Sequence, residues 1–174
     1  MCEENVVERG ARHIGELHLV PEGRRKSDPM ITVLLDGNVF DKIAEDAEGR
    51  AMLRALCSSG RLRQVTSPTV RGEVAASRKP GLLALLDEMP IEVVGNAPPL
   101  ADLMRAGDHL GDPQRFVEHK GKSSKVDDAL IAAAADFHSD YVVSGDDRLR
   151  HRVEGWRVKS LDYEGLIKVA GDLR

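Results

Sequence analysis

Ile31-Thr32-Val33-Leu34-Leu35-Asp36-Gly37-Asn38 is the stretch on which the fold of this 174-residue chain turns. Five apolar or β-favouring residues run without a polar break, as in a strand buried on both faces of a parallel sheet. The run ends on an acid, a glycine and an amide. A helical pattern follows, with Val39, Ile43, Ala47, Leu53 and Leu56 as inward positions up to about Gly60. A hairpin would put a second strand after Asp36-Gly37, and none is there.

Downstream, strands and helices go on alternating, without an internal repeat. Leu62–Thr66 reads as a short strand. Ser67-Pro68 then pairs a capping residue with proline at the first helical position. Residues 81–89 and 99–106 read as helices and 91–94 as a strand. Residues 107–123 are polar and without a defined pattern. Residues 124–137 form an alanine-rich helix, Tyr141-Val142-Val143 a strand ending at Ser144-Gly145-Asp146, and 156–158 a further strand before a last helix from Leu161. Strands alternating with helices predict a three-layer α/β/α sandwich around a mostly parallel sheet. That domain spans 30–174. Residues 1–29 read as an extension of unassigned role, and Met30 is also a candidate start.

Composition narrows the function. Apolar residues at 41% and charged residues at 31% describe a folded globule, and no apolar run reaches the ~18 residues of a membrane span. Cys2 and Cys57 form no spaced pair, and no signal-peptide core opens the chain, so a cytoplasmic protein with free thiols is expected. Aromatics at 3% argue against a base-stacking platform. The six histidines show no zinc spacing, and no phosphate-binding glycine loop or nucleophile elbow occurs.

What stands out is a set of four acids: Asp36, Glu73, Asp128 and Asp146. Asp36 and Asp146 each follow an apolar strand, at the sheet edge where open parallel sheets bind ligands. Asp146 can also be a simple turn or cap. Ser124-Lys125-Val126-Asp127 has the capping-box form, which would occupy Asp127 and leave Asp128 about 100° round the helix. Glu73 sits among Gly72, Val74 and Ala75, where a charge is either an exposed face or an inward acid. Asn38 suits a helix cap, and Ser144 lies beside Asp146. Carboxylates that gather repel one another, so a shared site calls for a hard cation such as Mg²⁺, with Mn²⁺ an alternative.

Net charge is −4, and setting the four acids aside leaves the remainder neutral. Basic residues flank three of the four acidic centres: Arg61, Arg63 and Arg71 before Glu73, His119, Lys120, Lys122 and Lys125 before Asp128, and Arg148, Arg150 and Arg152 after Asp146. Arg71, Lys125 and Arg148 are candidates for contact with an RNA backbone, the alternative being solvated surface.

Between Ile31 and Leu166 the chain resembles the PIN-domain family, including the VapC-type toxins. Leu34-Leu35-Asp36-Gly37-Asn38-Val39 resembles its opening motif, Ser67 to Glu73 its acid-bearing helix, Asp128-Ala129-Leu130-Ile131-Ala132-Ala133 its third motif, and Val142-Val143-Ser144-Gly145-Asp146 its last. Gly37 stands where the family often has threonine, and Leu149 where a phenylalanine is common. The resemblance implies a metal-dependent endoribonuclease with Asp36, Asp128 and Asp146 as metal ligands and Glu73 binding directly or through water. It also implies a homodimer and an antitoxin partner. Two other readings remain open: a PIN-like binding module without catalysis, and a HAD-like phosphatase with Asp36 as nucleophile. The latter ordinarily has an acid where this chain has Asn38.

Overall fold

The computed structural model describes residues 30–79, 81–96 and 126–174. The expected extension 1–29, the helix over 99–106, the segment 107–123 and Lys125 lie outside them. Within them, β1 (Ile31–Leu35), α1 (Val39–Glu45), α2 (Ala47–Ser58), β2 (Leu62–Thr66), α3 (Pro68–Ala76), α4 (Leu82–Glu88) and β3 (Ile91–Val93) form the first half. The second half holds α5 (Val126–His138), β4 (Tyr141–Val143), α6 (Asp147–Arg152), β5 (Lys159–Leu161) and α7 (Tyr163–Asp172).

The five strands form one sheet in the order β3-β2-β1-β4-β5, and every pairing is parallel. β1 is central, which explains its unbroken apolar run: Val33, Leu34 and Leu35 are fully buried. Val142 and Val143 of β4 are equally buried, with Leu35 in register with Val143. The alanine-rich face of α5 packs on β1 and β4, where small side chains let the helix approach closely, and α2 packs against α7.

The order reverses direction at one place. From β1 the chain builds outward through β2 to β3, then returns to add β4 and β5 on the opposite side. The crevice between the carboxyl ends of β1 and β4 is therefore the switch point, where crossover helices leave the sheet on opposite faces and a ligand can enter.

Three local expectations are corrected. The helix after Asn38 is broken into two at Asp46, whose extended backbone and carboxylate cap α2 by accepting from the Gly49 N–H at 2.8 Å. The break resets the helical phase, so Ala47 is exposed and Gly49, Met52, Leu53 and Leu56 face inward. The last strand lies at Lys159–Leu161, not 156–158. There the ladder starts where Lys159 meets Tyr141, while Arg157 turns aside to donate to the carbonyls of Asp136 and Ser139. The final helix accordingly begins at Tyr163, capped by Asp162.

Helix α3 ends on Ser77, and the next residue, Arg78, has φ +51°, the left-handed conformation that suits glycine. Arg78→Gly should relieve this strain, partly offset by greater unfolded-state entropy. A net stabilisation of about 0.5–1 kcal/mol is expected, read as a higher urea midpoint at unchanged slope.

Candidate active site

Asp36 is the first residue beyond β1 and is 6% exposed. Both carboxylate oxygens are held. Oδ1 accepts from the Gly37 N–H at 2.7 Å, and Oδ2 accepts from Ser144 Oγ at 2.6 Å and Asn38 Nδ2 at 2.9 Å. Ser144 reaches Asp36 because it follows β4, the neighbouring strand across the switch point. Burial pushes the Asp36 carboxyl above its ordinary range. The Ser144 hydroxyl and Gly37 N–H pull the other way, and the charges of Asp128 and Asp146 push it up again.

Asn38 stands at the cap position of α1, but its side chain makes no cap bond. It instead bridges the two strand ends, donating to Asp36 and accepting from the Gly145 N–H at 2.7 Å. The amide thus couples the two motifs, and the capping alternative does not hold. Ser144 Oγ also accepts from the Asp146 N–H at 2.9 Å, so one hydroxyl sets both acidic turns. Behind it, Arg150 donates to the Ser144 carbonyl at 2.9 Å.

Asp146 does cap a helix, accepting from the Arg148 N–H at 2.8 Å. It also faces the cleft, so capping and site roles coexist. The Arg148 guanidinium lies against the same carboxylate at 3.0 Å. Asp128 is half-buried and lines the cleft, whereas Asp127, one residue earlier, is exposed and does not. That separates the two acids as the helix geometry requires. Glu73 is exposed to the cleft, from α3, and its Oε2 lies 3.3 Å from where a Cβ on Gly37 would be. A side chain at position 37 would press on Glu73, so glycine here leaves room for that carboxylate to lean over the end of β1.

All four acids line one cleft of about 340 Å³ at the switch point, with Asn38 and Gly37 on its wall. Ser144 supports it from beneath, fully buried. The acids surround the cleft without closing on a point: among the described residues, no three acidic, histidine or cysteine side chains form a ready-made cage. The donor chemistry nonetheless fits a hard divalent cation, since every group facing the cleft from these four residues is a carboxylate oxygen.

Of the basic candidates, Arg148 is at the site. Arg71 is paired with Asp87 at 2.8 Å and does not line the cleft. Arg63 is paired with Glu92, and Arg61 donates to the carbonyls of Leu173 and Arg174, fastening the end of the chain. The cleft also holds residues to which the sequence assigned no site role: Asp41, Ser77, Lys79 and Leu82. Asp41 lies three residues beyond Asn38 on α1, which places it on the helix's first turn toward the same opening. Nothing local marks Lys79.

No family model matches the chain, and no curated protein matches it. Solved structures do. PAE2754 from Pyrobaculum aerophilum superposes with a TM-score of 0.54 at 16% identity, over 82% of this chain and 96% of that one. The PIN domain endonuclease Utp24 superposes with a TM-score of 0.48 at 14% identity, over 75% and 84%. The likeness is one of fold. The architecture is a three-layer α/β/α sandwich whose sheet is parallel throughout the described residues. No helix among those residues is long and apolar enough to cross a membrane.

Proposed function

We propose that the protein is a divalent-metal-dependent endoribonuclease of PIN type, using Mg²⁺ or Mn²⁺, and that it serves as the toxin of a toxin–antitoxin pair. One observation carries the nuclease reading: Asp36 and Asp146, from the two strands flanking the switch point, share a cleft with Glu73 and Asp128. Such a concentration of negative charge is unfavourable unless a cation offsets it.

Asp36, Asp128 and Asp146 would hold the cation, and Glu73 would do so directly or through water. When bound, the ion supplies a water acidic enough to attack at neutral pH and neutralises charge building on the phosphate. The chain's own part is positioning. Ser144 and Asn38 fix the plane of the Asp36 carboxylate, and Asn38 ties that plane to the Gly145 turn. Arg148, 70% exposed on its side chain, can leave Asp146 for a backbone phosphate at little cost, since an exposed ion pair is weak. No side-chain nucleophile is needed, and the products carry 5′-phosphate and 3′-hydroxyl ends. The phosphatase alternative has no proton carrier two residues past Asp36, because the amide there is spent on holding Asp36 and Gly145. The toxin role, with a homodimer and an antitoxin covering the acidic cleft, rests on the sequence resemblance.

The test is cleavage of single-stranded and structured RNA with Mg²⁺. Activity should vanish with EDTA and fall at least about tenfold in Asp128→Asn, since losing even an outer-shell partner of a metal costs about 10–100-fold. Equal cleavage in EDTA, or in that variant, overturns the reading.

A further inference from the structure

Among the described residues the cleft gathers five acids, Asp36, Asp41, Glu73, Asp128 and Asp146, yet RNA is a polyanion. Something must draw the backbone in beyond the bound cation. Among the described residues lining the main cleft there is one cation, Lys79, opposite in placement to Asp146 in that it comes from the turn after α3 and not from a strand end. Its ammonium is paired with Asp41 of α1, and the two side chains are 57% and 36% exposed. An ion pair so exposed is held weakly and is readily exchanged for a phosphate.

A second, shallower recess continues from the first. It is lined by Asn38, Gly145, Asp146, Asp147 and Arg148, and so shares Asn38 and Asp146 with the main cleft. The two adjoin at these residues as parts of one groove: Lys79 lines the first recess, Arg148 the second, and Asp146 both. Each cation is parked on an acid: Lys79 on Asp41, Arg148 on Asp146.

We propose that Lys79 is a phosphate-binding residue for a single RNA strand lying in this groove, and that Asp41 holds it in reserve until the strand arrives. The inference rests on the ribonuclease reading and adds to it a path for the substrate. The strand's phosphates bridge the groove from Lys79 to Arg148, so the scissile phosphate between them is presented to the carboxylates. Asp41 acts as an internal competitor for Lys79. It lowers affinity for the strand, and it keeps an empty groove from carrying a free cation beside the acids.

A purely structural role for the pair, pinning the α3–α4 turn to α1, makes a different prediction, and two variants separate the readings. Lys79→Gln and Asp41→Asn both break the pair. As a tether, both act in the same direction. As a competitor for phosphate, Asp41 opposes Lys79, and the variants act in opposite directions. The probe is a fluorescein-labelled single-stranded RNA oligonucleotide. Its binding is followed by anisotropy over a series of salt concentrations, in protein carrying Asp128→Asn so that the strand persists. Lys79→Gln should weaken binding several-fold and flatten the salt dependence of log K by about 0.7, the contribution of one phosphate contact on a single strand. Asp41→Asn should tighten binding several-fold. Thermal melts confirm that both variants fold. Parallel shifts in the two variants, or no change in the salt slope of Lys79→Gln, overturn the proposal. A protein that binds RNA with this slope change but does not cut it in the wild-type form retains the phosphate contact and loses the ribonuclease reading. A protein that binds no RNA loses both.

Discussion

Asp36→Asn should reduce RNA cleavage at least about a hundredfold while leaving the protein folded. Losing an outer-shell partner of a metal already costs about 10–100-fold, and this substitution removes a ligand's charge as well. Asp36 is the most buried of the four acids, and both its oxygens are used. An asparagine has one acceptor oxygen. Placed where Ser144 and Asn38 donate, it turns its NH₂ toward the Gly37 N–H, donor against donor. Flipped, it faces Ser144 and Asn38 with the wrong group. Either way it carries no charge for a cation.

The effect on stability has the opposite tendency. Burial and the neighbouring acids raise the Asp36 pKa, so the folded protein binds this proton more tightly than the unfolded chain does. That stabilisation is complete below the ordinary aspartate range and is lost as pH rises through the raised value. At neutral pH the charged carboxylate therefore works against folding in the absence of a cation. Removing the charge offsets the lost hydrogen bond, and the melt of Asp36→Asn should stay near that of the wild type. Adding Mg²⁺ should raise the melting temperature of the wild type and not of the variant. Full cleavage by Asp36→Asn, checked by gel assay beside these melts, would remove Asp36 from the site. Ser144→Ala, which deletes the 2.6 Å bond and leaves the charge, should give an intermediate loss.

Gly49→Ala should be the most damaging single-methyl change among the described glycines. Gly49 lies in the first turn of α2, and a Cβ there would overlap Asp46 Oδ2 and lie 2.7 Å from Tyr163 Oη and 2.8 Å from Ile167 Cδ1. Two of the three are held in place. Asp46 is held by the Gly49 N–H and by Tyr163 Oη at 3.0 Å, and Tyr163 is buried in the core where α7 packs on α2. Overpacking of this kind costs about 1–3 kcal/mol, and loss of the cap adds to it. A lower urea midpoint at unchanged slope is the expected result, and a midpoint within error of wild type would show that the α2–α7 contact gives way easily.

The same contact has a pH signature. The Gly49 N–H, and after it the Tyr163 hydroxyl, hold the Asp46 carboxyl below its ordinary range, while burial and Asp46 push the Tyr163 hydroxyl well above its own. A lowered carboxyl pKa contributes stability above the unfolded aspartate value and loses it as pH falls through the folded one. Tyr163→Phe should shrink that acid-side loss without overlap, which distinguishes the hydrogen bond from the packing.

Much of this site is legible in the chain. The apolar run into Asp36 and the shorter one into Ser144-Gly145-Asp146 are local patterns, and strand ends follow from them directly. Asp128 separates from Asp127 by one helical step, and the structure places the first in the cleft and the second in solvent. Glu73 is different, because its direction depends on how α3 lies over the end of β1, which no periodicity among Gly72, Val74 and Ala75 encodes. Asn38 has the form of a cap and acts as a bridge, since two of its partners, Ser144 and Gly145, lie more than a hundred residues away. The displaced last strand has the same cause: Trp156-Arg157-Val158 has strand composition, but the ladder with β4 sets the register.

By itself, then, the sequence determines the alternation of elements, the buried character of β1 and β4, and which acids end a strand. These depend on side-chain period and on capping chemistry, both properties of neighbouring residues. Only the tertiary structure decides that β1 and β4 are adjacent, that Ser144 reaches Asp36, and that Lys79 joins the acidic cleft. Those depend on strand order and helix crossing, which arise from burial summed over the whole core.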